Sequence, residues 1–411
     1  MIDNEDALRP GPRPLPLHLA AAMMSSLSAV AALPAVRSGS MPWARNLVRE
    51  AADLVSDMQA VDQNALNAAV MAEVTRRLQA MIDGMETYQR HAYHRGEPEA
   101  ALAFTVGNAR LLDYGTDSGG AAILLVPSLV NRYYVLDLTK KISFARWLAS
   151  QGFRPFVVDW GAPGVMEKDF SLADYVTGHL FQITTFLTNK IAAQPHLLGY
   201  CMGGDLALAL ACLKPRAFAS LSLLATPWNF HAAPKGPFSS LLVTDEILDR
   251  ILSAFGEFPV DLLQALFAAL DPNLAQRKFR NFIDLAGDED ATTTFVALED
   301  WLNDGVPLTA GVARDCFGGW YARNEPWQGK WRIGDEVIRP QEITIPNLVA
   351  IPAHDRIVPL ESALGLFDQL PAAHRLDPDA GHIGMMVGRQ AEAALWQPIR
   401  DWLHGPAALA L

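Results

Sequence analysis

The stretch that most constrains this chain is His196-Leu-Leu-Gly-Tyr-Cys-Met-Gly-Gly-Asp205, which runs directly into the helical pattern Leu206 to Leu213. A short apolar run of this kind reads as a buried strand, and the residues after it as a helix. A strand that becomes a helix within one residue must pass through a strained turn. Small residues two before and two after the tip let the backbones close up and expose the side chain at the tip. Gly199 and Gly203 meet that requirement around Cys201. A thiolate there gains from the partial positive charge of the helix N-terminus. Cys212 and Cys316 have no such surroundings and are read as inert.

A strand-to-helix turn implies a parallel sheet with crossover helices, and the texture after Gly96 fits one. Short runs rich in Val, Ile and Leu recur at Ala122 to Val126, Phe156 to Asp159, Pro195 to Gly199, Leu221 to Ala225 and Leu348 to Ile351. Before them, apolar residues at helical spacing from Trp43 to about Tyr93 predict a helical N-terminal region over residues 1–98, with the α/β body at 99–411. The span of about 228–339 returns to helical periodicity with many Phe, Trp and Leu residues. It reads as a cap inserted after a strand, where it would roof a site at the carboxyl edge of the sheet.

A nucleophile of this type needs a base and an acid, which in the α/β-hydrolase fold follow in the order nucleophile, Asp or Glu, His. Asp355 lies in Pro352-Ala-His-Asp-Arg-Ile-Val-Pro359, just past the strand Leu348 to Ile351, and His382 sits in the glycine-flanked loop Ala380-Gly-His-Ile-Gly384. His354 adjoins the acid and His374 falls in a strand pattern, so both read as structural. Asp205 reads as a stabiliser of its helix N-terminus. The oxyanion hole would use the amide of Met202 and one from Pro127-Ser-Leu-Val-Asn131, the loop after the strand Ala122 to Val126.

The formal net charge of -12 over 411 residues argues against a nucleic-acid partner. Three cysteines make neither a disulfide framework nor a metal site, so a reducing cytoplasmic location is expected and no metal or cofactor. Asp3, Glu5 and Asp6 carry the wrong sign for a secretory signal. The apolar stretch Pro16 to Pro34 is at the short end for a membrane span. It reads first as a helix or arm packed on the body, with an interfacial helix as the alternative.

Several separated blocks resemble the polyhydroxyalkanoate synthases, which polymerise 3-hydroxyacyl groups from coenzyme A thioesters. The blocks are Val126-Pro-Ser-Leu-Val-Asn-Arg-Tyr-Tyr-Val-Leu-Asp-Leu138, Phe156-Val-Val-Asp-Trp-Gly161, Gly199-Tyr-Cys-Met-Gly-Gly204, Asp355-Arg-Ile-Val-Pro359 and Gly381-His-Ile-Gly-Met-Met386. The resemblance implies that Cys201 carries the acyl group, His382 is the base, Asp355 its partner, and Met202 with Val130 the amide donors. It also implies a coenzyme A thioester as substrate rather than a bound cofactor, a growing polyester chain, attachment to polyester granules, and a homodimer or a second synthase subunit. Ser128 stands where a second proline is common, and Asp205 where a small or hydroxyl residue is usual. Two other readings share this sequence: a cysteine-dependent depolymerase or thioesterase, and a non-catalytic granule protein.

Overall fold

The computed structural model describes residues 9–115, 120–191, 193–232 and 243–405. Its contacts group the chain into two units, one of residues 1–94 with 271–303 and one of residues 95–270 with 304–411. The segment 271–303, inside the span read from sequence as a cap, thus groups with the N-terminal helices. Residues 233–242 of that span lie outside the described residues.

The first unit is helical. Helix α1 (Leu15–Arg37) carries Pro at its first turn, where the missing amide costs nothing. Helix α2 covers Val48–Gln59, and helix α3 covers Gln63–Gln89, capped by Asp62, which accepts from the Ala65 amide. Met81, Met85 and Tyr88 of α3 bury against Ala275, Phe279 and Phe282 of the helix Leu274–Phe282, with Ala22 of α1 in the same cluster. Gly84 lets those two helices touch, since a Cβ there would fall 2.0 Å from the Phe279 carbonyl oxygen.

The second unit is built on an eight-stranded sheet of β1 (Ala101–Val106), β2 (Ala109–Asp113), β3 (Ala122–Val126), β4 (Arg154–Asp159), β5 (His196–Tyr200), β6 (Ser220–Leu224), β7 (Asn347–Ala350) and β8 (His374–Leu376). Their spatial order is β1-β2-β4-β3-β5-β6-β7-β8. β1 and β2 form an antiparallel hairpin and β2 runs antiparallel to β4, whereas β4 through β8 pair in parallel. Strands β3, β5, β6 and β7 are buried along their whole length, which is why they read as unbroken apolar runs rather than alternating ones. The hairpin β1–β2 was not expected, because its exposed positions break the apolar run.

Register decides where the chemistry can sit. Val126 pairs with Gly199, Gly199 with Leu223, Tyr200 with Leu224, and Leu224 with Ala350. The loops after β3, β5 and β7 therefore leave the same carboxyl edge, where ligands bind in open α/β sheets. The elbow, the oxyanion loop and the Asp355 loop proposed from sequence start there, and the His382 loop follows the neighbouring parallel strand β8, whose Leu376 pairs with Ala350.

Candidate active site

Cys201 sits between β5 and helix α4 (Met202–Leu213) with φ 56° and ψ -131°, a left-handed backbone that a side chain rarely adopts. The conformation is over-determined by its surroundings. The Cys201 amide donates to the Leu224 carbonyl at 2.8 Å, and the Cys201 carbonyl accepts from the Gly204 amide at 2.8 Å. A Cβ on Gly203 would lie 2.1 Å from the Val126 oxygen, and one on Gly199 would lie 2.5 Å from the Gly203 oxygen. The glycines thus do what the motif required: they let α4 press onto β3 and β5 while the thiol stays partly exposed.

His382 Nδ1 and Asp355 Oδ2 are 2.6 Å apart, with both side chains almost fully buried. The other oxygen of Asp355 accepts the amides of Ile357 at 2.8 Å and Val358 at 2.9 Å, so the loop after β7 holds one oxygen of the carboxylate while His382 meets the other. The Tyr200 hydroxyl donates to the His382 carbonyl at 3.1 Å, which ties the histidine loop back to the strand that carries the nucleophile. Burial is the largest influence on His382 and opposes its charge. Cys201 and Asp355, by charge and by hydrogen bonding, outweigh it and push the imidazole up to about 10. The imidazole thus stands between thiol and carboxylate, the arrangement in which a base can pass a proton.

The rival histidines are elsewhere in the unit. His354 is exposed and faces Asp379 at 2.8 Å, and His374 stacks on Trp402 at 5.5 Å between ring centres. Cys212 is half-buried, its thiol donating to the Arg339 carbonyl, and burial pushes it up to about 12. Asp205 is fully buried in the first turn of α4, and neither carboxylate oxygen has a hydrogen-bond partner among the described residues. Burial, and then the nearby Cys201, pushes it well above the ordinary carboxylate range.

The amide of Val130 donates to Ser128 Oγ at 3.1 Å. An oxyanion that recruits Val130 must therefore replace that bond. The loop itself is held firmly: the Pro127 carbonyl accepts from Trp160 Nε1 at 2.9 Å, and the Val130 carbonyl accepts from the Val306 amide at 3.0 Å. Sequence reasoning missed the Ser128 contact, although the absence of proline at this position was its signal.

Cys201, Met202 and Val130 open into a cavity of about 110 Å³, lined also by Phe230, Phe267, Leu270, Cys316, Trp320 and Tyr321. That is room for on the order of four water molecules or a short acyl chain. Its roof is an aromatic cluster: Phe230 stacks on Trp320 at 5.3 Å and meets Tyr321 edge to face at 4.9 Å, and Trp320 in turn meets Trp331, outside the lining, edge to face at 5.3 Å between ring centres. These residues come from the span of about 228–339 that follows β6 in sequence, and which of its aromatic side chains line the cavity was not readable from spacing. Among the described residues no group of three or more His, Cys, Asp or Glu could hold a metal ion.

The family model of the alpha/beta hydrolase fold matches residues 121–389. A poly(3-hydroxyalkanoate) polymerase subunit of Haloferax mediterranei is 27% identical over 80% of this chain and 68% of its own length. The corresponding subunit of Allochromatium vinosum is 27% identical over 69% of this chain and 80% of its own. Among solved structures, a thermophilic esterase from Thermogutta terrifontis aligns with a TM-score of 0.49 and 21% identity, over 76% of this chain and 99% of that one.

Proposed function

This chain belongs to the alpha/beta hydrolase fold family, and from that premise we propose that it is an acyltransferase that polymerises 3-hydroxyacyl groups from coenzyme A thioesters through an acyl-Cys201 intermediate. The observation that carries the reading is the thiol at a strained strand-to-helix turn, facing an imidazole that a buried carboxylate orients at 2.6 Å, at the floor of an apolar cavity. The similarity to poly(3-hydroxyalkanoate) polymerase subunits supports the substrate class.

His382 accepts the thiol proton of Cys201, and the sulfur attacks the thioester carbonyl. The amides of Met202 and Val130 take the developing oxyanion. The bond from carbonyl carbon to the coenzyme A sulfur breaks, and the departing thiolate takes its proton from His382. In the second half, His382 removes the proton of a 3-hydroxyl group on another acyl unit. That oxygen attacks the acyl-cysteine, an ester forms, and Cys201 regains its proton from the imidazolium. Asp355 holds the imidazole in the tautomer that leaves Nε2 free to accept. The aromatic roof favours transfer over hydrolysis by keeping water from the acyl-enzyme.

The test is coenzyme A release from 3-hydroxybutyryl-CoA by wild type and by Cys201→Ala, with products separated into polymer and free acid. Polymer from wild type alone is expected. Free acid alone would make the chain a hydrolase with the same triad, and polymer from Cys201→Ala would remove Cys201 from the mechanism.

A further inference from the structure

Helix α1 spans 23 residues, roughly 34 Å at the usual rise, and carries no charge before Arg37 at its end. Only Ala22 is buried. A helix this apolar, whose only polar side chains before Arg37 are His18, Ser25, Ser26 and Ser28, belongs in a largely apolar environment. Its inner face has one: Leu15, Leu19 and Ala22 pack into the cluster around Met81 and Phe279. Its outer face does not. Leu17, Ala20, Met23, Met24, Leu27, Ala31 and Pro34 recur at helical spacing along one exposed ridge, with Met24 and Leu27 each 63% exposed. Isolated exposed apolar residues are ordinary, but a continuous ridge of this length marks an interaction surface.

The surrounding charge identifies the occupant. No Asp or Glu occurs between Asp6 and Glu50, while five arginines do, in a chain whose net charge is -12. Arg9 is committed to Asp300 at 2.7 Å. Arg13 precedes the helix, and Arg37, Arg45 and Arg49 follow it, with Trp43 among them. Acidic residues resume only on α2, with Glu50, Asp53 and Asp57. An apolar ridge with cations at both ends and no acids between is the pattern of a helix that lies in the headgroup plane of an anionic bilayer. Because the inner face is already packed on α3, the helix lies along the surface rather than across it.

We propose that the exposed ridge of α1, with its flanking arginines, seats this protein on anionic phospholipid surfaces. The inference does not depend on the catalytic reading. The full chain is mixed with sedimentable vesicles of phosphatidylcholine, with and without a quarter phosphatidylglycerol, and with poly(3-hydroxybutyrate) particles, at low and high salt. Wild type should bind the anionic vesicles at low salt and release at high salt. Met24→Asp with Leu27→Asp, at exposed positions, should bind at least ten-fold more weakly while keeping the melting temperature of wild type. Arg45→Gln with Arg49→Gln should weaken binding by roughly five-fold for each charge. Equal binding to neutral and anionic vesicles, unchanged binding by the Met24/Leu27 variant, or no vesicle binding at all would each overturn the proposal. Binding to the polyester particles alone would also overturn it, and would assign the ridge to polymer instead.

Discussion

Replacing Asp355 by Asn and by Ala separates the catalytic from the structural work of one side chain. Asp355 accepts three hydrogen bonds: the Ile357 and Val358 amides on Oδ1 and the His382 ring nitrogen on Oδ2. In Asp355→Asn the two amides still need an acceptor, so the amide oxygen turns to them and the NH2 group faces His382 Nδ1. The imidazole must then accept at Nδ1 and carry its proton on Nε2, where it can no longer take one from the thiol. The same exchange in a serine-nucleophile triad costs roughly four orders of magnitude in turnover, or about 5 kcal/mol. A drop of about 10³ to 10⁴ in the rate of coenzyme A release is expected, with stability changed by less than about 1.5 kcal/mol, the net worth of one hydrogen bond. Asp355→Ala loses the same activity but also strands two amides, each costing about 1–3 kcal/mol, so it should be less stable by roughly 2–6 kcal/mol. Release of coenzyme A under single-turnover conditions measures the first quantity, and urea unfolding midpoints the second. The reasoning fails if Asp355→Asn keeps activity within ten-fold of wild type, or if the two variants are equally destabilised.

Two further outcomes follow from the geometry. Ser128→Ala removes the acceptor now held by the Val130 amide, freeing that donor for the oxyanion; kcat/KM should rise by a few-fold, worth up to about 1 kcal/mol, and a hundred-fold fall would show that the serine hydroxyl itself serves the reaction. His382 is pushed up to about 10 from an ordinary value of about 6.5. The folded state therefore holds its proton more tightly than the unfolded chain, and the resulting stability is complete below about pH 6.5 and lost as pH rises toward about 10. Because Cys201 is among the influences raising it, Cys201→Ala should move the alkaline fall in melting temperature to lower pH. An unchanged profile from pH 6 to 10.5 would contradict the assigned coupling.

Much of this site was legible because its geometry is made by local rules. A glycine two residues either side of Cys201, an Asp one turn past a buried strand and a His between glycines each carry a sequence signature, and the sheet register brings all three to one edge. The buried strands were legible for the same reason: unbroken Val, Ile and Leu runs have few alternatives. What the sequence could not display depends on three-dimensional partners. The hairpin Ala101–Val106 and Ala109–Asp113 hides its apolar side among exposed residues. The pairing of 271–303 with the N-terminal helices is a long-range choice made by Phe279 and Phe282 against Met81 and Tyr88. The bond from Val130 to Ser128 is a local competition that no periodicity reports.

The Val306 amide and the neighbouring Asn131–Gly305 bridge join the loop carrying the proposed oxyanion donor to the chain as it returns from residues 271–303, within the span of about 228–339. The loop beside the nucleophile is therefore not independent of that segment. If the returning segment at 304–309 shifts to admit a bulky acyl group, it pulls on the carbonyl of the same residue whose amide must be aimed at the reacting oxygen. Admission and alignment become one mechanical event, so substrates that need a wider opening should suffer in turnover as well as in binding.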